Sequence, residues 1–162
     1  MGDPVSSLRD YQAKAIDRAR QCYAAGARSV LLVSPTGSGK TVILAAIAKG
    51  VVDNGGSVTV LVHRRELVDQ TVRKLMAVGA RANVVTVQSA RVPRCSFLII
   101  DEAHHIAADA WSAVALSAGA PRTLGVTATP ERGDGRGLSG MFERLVVVAQ
   151  PSELIAQGHL VP

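Results

Sequence analysis

The stretch Ser34-Pro35-Thr36-Gly37-Ser38-Gly39-Lys40-Thr41 constrains this chain more than any other. It follows a short β-branched run, Ser29-Val30-Leu31-Leu32-Val33, that reads as a buried strand, and it precedes an Ala-rich run, Val42 to Ala48, that reads as a helix. Strand, glycine-rich turn, Lys-Thr and helix together are the setting in which a phosphate-binding loop is expected. Gly37 and Gly39 let successive backbone N–H groups converge on one point, and the helix opening near Lys40 adds the positive end of its dipole. Lys40 offers a point charge to β- and γ-phosphates, and the Thr41 hydroxyl can ligand Mg²⁺. The general pattern opens on Gly, where this chain has Ser34. A Gly/Ser-rich turn ending in Lys also occurs as a plain loop.

The rest of the chain supplies alternating strands and helices. Ser6 or Ser7 offers a cap for a helix whose apolar face runs Leu8, Tyr11, Ala15, Ile16, Ala19, Cys22 and Tyr23, and Gly26 stops it. Strands are expected at Ala27 to Val33, Ser57 to Val62, Asn83 to Val87, Phe97 to Ile100, Arg122 to Val126 and Leu145 to Val148. Helices are expected from Lys40 to the Asp53-Asn54-Gly55-Gly56 turn, over Glu66 to Ala77, from about Ala107 to Ala118, and near Ser152 to Ala156. The second of these, Glu66 to Ala77, places Leu67, Val68, Thr71, Leu75 and Met76 on one face. Such alternation predicts an α/β fold with a doubly wound, mostly parallel sheet and helices on both faces. The motifs of interest fall just after strands, at the carboxyl edge where open α/β sheets bind ligands.

Composition narrows the class further. At 162 residues the chain is one domain, 1–162, and 48 % apolar residues with only 3 % aromatics suit parallel strands built from Val, Leu and Ile. No apolar stretch reaches the roughly eighteen residues of a membrane span, and the first ten residues lack a signal-peptide pattern. Cys22 and Cys95 lie far apart without a Cys-x-x-Cys neighbour, which predicts free thiols, no disulfide and a cytoplasmic setting. Eighteen Lys and Arg against thirteen Asp and Glu give a net charge of +5, compatible with a polyanionic partner without demanding one.

Asp101 and Glu102 follow four apolar strand residues, Phe97 to Ile100. A rigid strand can deliver one carboxylate towards Mg²⁺ and leave its neighbour to orient and deprotonate an attacking water. Paired acids at a strand end are also common in solvated turns. Behind a phosphate loop the catalytic reading is preferred.

Taken together these segments resemble the DEAH-box type of superfamily 2 helicases and translocases, nearest to the branch containing the helicase part of type III restriction enzymes. Asp101-Glu102-Ala103-His104 is the signature from which the type takes its name, and Ser34 to Thr41 is similar to its first motif, where another small residue often replaces the opening Gly. Leu8 to Gln12 resembles the adenine-recognising segment, and Val60 to Leu67 the motif called Ia. Thr86 to Ser89 resembles a further strand-contacting motif, and Thr127-Ala128-Thr129-Pro130 motif III. Gly133 to Leu138 and Glu153 to Pro162 are similar to the closing segments of the family's first domain.

The resemblance implies a RecA-like P-loop NTPase fold using ATP and Mg²⁺. It implies that Arg9 and Gln12 read adenine, that Thr36, Gly37, Ser38, Gly39, Lys40 and Thr41 hold phosphates, and that Thr41 and Asp101 bind the metal. Lys40, Asp101, Glu102 and His104 would be the catalytic set, with Glu102 positioning water. His104, Thr127 and Thr129 would couple γ-phosphate state to grip on nucleic acid, while His105 has no assigned role. His63, Arg64 and Arg65, with Thr86, Gln88 and Ser89, would contact a nucleic-acid strand, DNA favoured over RNA. With few aromatics present, phosphate tracking is expected rather than base stacking.

The family also implies a second RecA-like domain, in cis or in trans, that brings arginine fingers worth about 10³–10⁵ in rate. No Arg-x-Gly-Arg motif of that kind occurs in this chain, so alone it is expected to hydrolyse ATP barely or not at all. Two rival readings stand beside the motor. One is a stand-alone nucleic-acid or partner-binding module without turnover. The other is a complete P-loop kinase, for which Arg132 and Arg136 are the lid-like arginines.

Overall fold

The computed structural model describes residues 8–89, 91–105, 108–128 and 141–158. Helix α1 is Asp10–Ala24, strand β1 Ser29–Val33, α2 Lys40–Asp53, β2 Val58–Val62, α3 Glu66–Ala77 and β3 Asn83–Thr86. They are followed by β4 Phe97–Asp101, a 3-10 turn Ala103–His105, α4 Ala108–Ala118, β5 Arg122–Thr127, β6 Arg144–Val147 and α5 Pro151–Ala156. Each expected strand and helix is present, with boundaries shifted by one or two residues.

The strands form one six-stranded sheet in the order β3-β2-β4-β5-β1-β6. Every pairing is parallel, so the sheet is wholly rather than mostly parallel. Continuous apolar strands fit this arrangement because both faces are covered. Val30 and Leu32 of β1, Val58, Val60 and Val62 of β2, and Phe97 and Ile99 of β4 pack with α1, α2, α3 and α5 on one face. Leu31, Leu61, Leu98 and Ile100 point the other way, against Val114 and Ala118 of α4 and against Phe142. Gly125 in β5 leaves room for that Phe142 ring, whose Cζ would lie 2.4 Å from an added Cβ.

Two expectations change. Helix α1 begins after Arg9 rather than at a serine cap: the Arg9 carbonyl accepts from Gln12 N and Ala13 N, and Gln12 Oε1 accepts from Arg9 N at 2.9 Å. On α3 only Leu75 is fully buried, Leu67 and Val68 pack at the margin of the core, and Met76 is 69 % exposed. Helix α3 lies over β3 at the sheet's edge, so the covered stripe is narrow and a residue 100° past Leu75 has turned to solvent.

Ser6, Ser7, Thr129 and Pro130, the Gly-rich stretch 131–140 with Arg132 and Arg136, and residues 159–162 lie outside the described residues. Cys22 and Cys95 are free thiols. Among the described residues no helix is long and apolar enough to cross a membrane.

Candidate functional site

At the end of β1 the chain enters the glycine-rich turn under tight control. Ser34 N donates to Thr127 O at 2.8 Å, extending the β1–β5 pairing by one residue, and Ser38 N donates to Pro35 O at 3.0 Å. Gly37 and Gly39 have φ of 85° and 83°, left-handed values that side chains resist. Helix α2 starts at Lys40, so its unpaired first-turn amides open onto the turn. Helix α1 clamps the turn from outside: Tyr11 Oη donates to Ser38 O at 2.7 Å, and Gln12 Nε2 to the same oxygen at 3.0 Å. A Cβ on Gly39 would stand 2.2 Å from Gln12 Nε2, so close approach as well as φ requires glycine there. Ser34, the departure from the general pattern, is buried with its hydroxyl against the hydroxyl of Ser38. A small polar side chain is therefore accommodated at that position and used.

The two carboxylates arrive from β4, which is separated from β1 only by β5. Lys40 Nζ lies 3.2 Å from Asp101 Oδ1 and contacts Glu102 Oε1 directly. Glu102 holds a left-handed backbone, φ 51°, and its N–H donates to Asp101 Oδ1 at 3.0 Å. Such a conformation in a non-glycine residue costs of order 1–3 kcal/mol and persists only where its surroundings hold it. Burial alone would push the Glu102 carboxyl up, but the Lys40 hydrogen bond and charge, with His104 and His63, carry it net below the usual range. His104 Nδ1 sits 2.8 Å from Thr127 Oγ1 and 3.5 Å from Glu102 Oε2. Burial first, and then the neighbouring His105, hold His104 below the ordinary histidine value, so it is neutral at pH 7.

This group joins the Lys40 amine, two carboxylates, the half-buried Thr41 and the start of a helix. Its oxygen donors suit a hard cation such as Mg²⁺, which is usually held by one or two protein oxygens with water and phosphate supplying the rest. Among the described residues no cluster of three or more His, Cys, Asp or Glu forms an all-protein metal cage. The arrangement can take a metal together with phosphate.

A second group lies along the same edge, beyond β2 and β3. Val87 N donates to Val62 O at 3.1 Å, setting the turn 86–89 beside His63, Arg64 and Arg65. Within that turn Ser89 N donates to Thr86 O, and the two hydroxyls lie 3.2 Å apart. Arg64, Arg65 and Gln88 are exposed. The two arginines immediately precede α3, which places two cations at a helix N-terminus. His63 reaches back towards the first group, its ring stacked on His105 at 4.5 Å between centroids.

Of the residues singled out from sequence, the structure gathers Arg9, Gln12, Thr36 to Thr41, Asp101, Glu102, His104 and Thr127 at one end of the central strands. It sets His63, Arg64, Arg65, Thr86, Gln88 and Ser89 beside them; Thr129 lies outside the described residues. Sequence reasoning missed Tyr11 as a clamp on the turn, because an aromatic on an apolar helix face carries no sign of its hydroxyl's partner. It also missed His105, for which the doubled histidine after the Asp-Glu pair was the available signal.

Residues 6–91 and 80–132 match the protein family described as type III restriction enzyme, res subunit. A 51.5 kDa protein of a Lactococcus phage (isolate 7-9) is 34 % identical over 141 residues, covering 82 % of this chain and 31 % of that protein. A putative mitochondrial ATP-dependent helicase, irc3, of Schizosaccharomyces pombe is 25 % identical over 188 aligned positions, 95 % of this chain and 31 % of that one. The chain thus spans about a third of the length of these relatives. Among solved structures, the ATP-dependent Type ISP restriction-modification enzyme LlaBIII bound to DNA superposes with a TM-score of 0.72 at 18 % identity, over 94 % of this chain and 16 % of that one. At that identity the likeness establishes a shared fold.

Proposed function

The chain belongs to the family of the type III restriction enzyme res subunit, and from that premise we propose that it is the ATP-binding first motor domain of a superfamily 2 DNA helicase or translocase. The observation that carries the proposal is the meeting of Lys40 with Asp101 and Glu102 at the mouth of the glycine-rich turn. In this reading the Lys40 ammonium leaves the carboxylates for the β- and γ-phosphates, and the amides of Thr36 to Thr41 complete the cradle. Thr41 and Asp101 would hold Mg²⁺, and the ion would supply positive charge beside the phosphates. Glu102, ionised and freed from Lys40, orients the attacking water and takes its proton. Arg9 and Gln12 read adenine, Gln12 exchanging or sharing its bonds to Ser38 O and Arg9 N. His104, Thr127 and Thr129 relay the state of the γ-phosphate. His63, Arg64, Arg65, Thr86, Gln88 and Ser89 contact the backbone of a DNA strand.

Turnover in this reading needs a second RecA-like domain carrying the arginine finger. The chain alone is expected to bind nucleotide with negligible hydrolysis. The test adds such a domain, in cis or in trans, and measures ATPase with and without single- and double-stranded DNA. DNA-stimulated hydrolysis that Lys40→Ala abolishes supports the motor. Brisk hydrolysis by the chain alone contradicts it. Nucleic-acid binding with no turnover in any pairing favours instead a stand-alone binding module of the same fold.

A further inference from the structure

The doubled histidine of the Asp101-Glu102-Ala103-His104-His105 segment has a structural consequence that the roles above do not use. Strands β2 and β4 pair in register as far as Leu61 and Ile100, so the segments leaving them run side by side. From β2 the chain passes through His63 to the exposed Arg64 and Arg65; from β4 it passes through Asp101 and Glu102 into the 3-10 turn. That turn, closed by His105 N donating to Glu102 O at 3.0 Å, folds the His105 ring back over its neighbours. His105 stacks on His63 at 4.5 Å and 26° between planes, and it packs on His104 at 4.1 Å and 40°. His104 in turn reaches Thr127 Oγ1 at 2.8 Å, and the Thr127 carbonyl accepts from Ser34 N at the start of the glycine-rich turn. A continuous path of three rings and two hydrogen bonds therefore joins the arginine-bearing turn to the phosphate-loop candidate.

His63 carries a second observation. Its Nδ1 is buried and has no hydrogen-bond partner among the described residues. A buried ring nitrogen is normally satisfied, so this orphan sets the His63 ring apart at the point where the arginine-bearing turn meets the histidine stack. Coupling between sites requires an element with two arrangements that both sites bias. The His63 ring, stacked on His105 on one face and unsatisfied at Nδ1, is the candidate for that element.

We propose that His105 is a positioning residue that locks His63, at the arginine-bearing turn, to His104 in the nucleotide site, so that the occupancy of each site alters affinity at the other. The inference rests on the motor reading above, and it assigns coupling to a specific side chain within this one domain. His105 touches neither phosphate nor DNA in this scheme and acts only through the rings on either side of it.

The test is a linkage measurement on the chain itself. Affinity for a fluorescent non-hydrolysable ATP analogue with Mg²⁺ is measured with and without a saturating single-stranded oligonucleotide, and the reciprocal titration closes the cycle. The wild type is expected to couple the two ligands by about fivefold or more. His105→Ala should remove that factor while each ligand taken alone binds within about twofold of wild type. His105→Phe, which keeps a flat ring of similar reach, should restore it; a role limited to local folding would not give this split. If an alanine variant does not fold, the comparison of His105→Phe with His105→Gln replaces it. Failure of the wild type to bind nucleotide or DNA overturns the motor reading itself. Binding of both without coupling, or coupling that survives His105→Ala or His105→Gln, overturns this inference alone.

Discussion

Lys40 Nζ stands 3.2 Å from Asp101 Oδ1, although 60 residues separate them in the chain. The contact follows from topology: β1 and β4 deliver the two residues to the same edge, with only β5 between them. Glu102, beside them, is held in its ionised form and contacts Lys40. In the proposed motor, Glu102→Gln would remove the base and leave the metal donors Thr41 and Asp101 in place. It is expected to keep Mg²⁺-nucleotide binding within a few-fold of wild type, and in the two-domain motor to lower the hydrolysis rate by about 10²–10⁴. Steady-state ATPase alongside nucleotide titration separates these effects.

Gly39→Ala tests the fit between the glycine-rich turn and helix α1. The substitution places a Cβ 2.2 Å from Gln12 Nε2 on a backbone with φ of 83°. The expected cost is about 1–3 kcal/mol in urea unfolding, together with weakened nucleotide binding. Stability within a few tenths of wild type would mean that the clamp by Gln12 is not as tight as described.

The alternation of apolar runs and turns made the six strands legible, because a buried parallel strand needs an uninterrupted β-branched stretch. The Gly37-x-Gly39-Lys40-Thr41 and Asp101-Glu102 pairs were legible as a site because each follows such a stretch. Strand order was not, since nothing in a local pattern reports that β5 inserts between β1 and β4. Met76 was misplaced because helical spacing gives a face and not the width of the surface that covers it. Tyr11 and His105 were missed because their roles depend on partners many residues away or on a backbone fold that brings rings together. The Ser34 hydroxyl is similar: a departure from a pattern in sequence, it becomes a hydrogen-bonding group once Ser38 is beside it.

The titrating groups at this edge set a pH profile for stability. His63 and His104 are both held below the ordinary histidine value, by burial first and by His105 next. The unfolded chain therefore takes up protons that the folded chain refuses, and stability falls as the pH drops through about 6.5. Glu102 is also held low, so its stabilising share is complete above the unfolded carboxyl value and is lost as the pH falls through the folded one. Urea melts across this range should show two successive losses. His63→Asn is expected to flatten the upper one and Glu102→Gln the lower; unchanged slopes in both variants would contradict the partners assigned here.

In the proposed DNA-contacting role, the arginines before α3 make a prediction about salt. If Arg64 and Arg65 each neutralise one phosphate, Arg64→Ala or Arg65→Ala reduces the magnitude of the log affinity against log salt slope by about 1. The loss should be uniform across sequences, because phosphate contacts carry no base information. Fluorescence anisotropy with two unrelated oligonucleotides checks both points. A sequence-dependent loss, or a slope that does not change, would remove these residues from the interface.

The most direct measurement concerns the site where Lys40 and the two carboxylates meet. A fluorescent ATP analogue is titrated into the purified chain with Mg²⁺ and with EDTA, for wild type, Lys40→Ala and Asp101→Asn, each verified as folded by circular dichroism. The account predicts saturable binding that Lys40→Ala weakens by about tenfold or more. It also predicts a Mg²⁺ dependence that Asp101→Asn flattens. Binding of equal strength in all three folded proteins, indifferent to Mg²⁺, would contradict it.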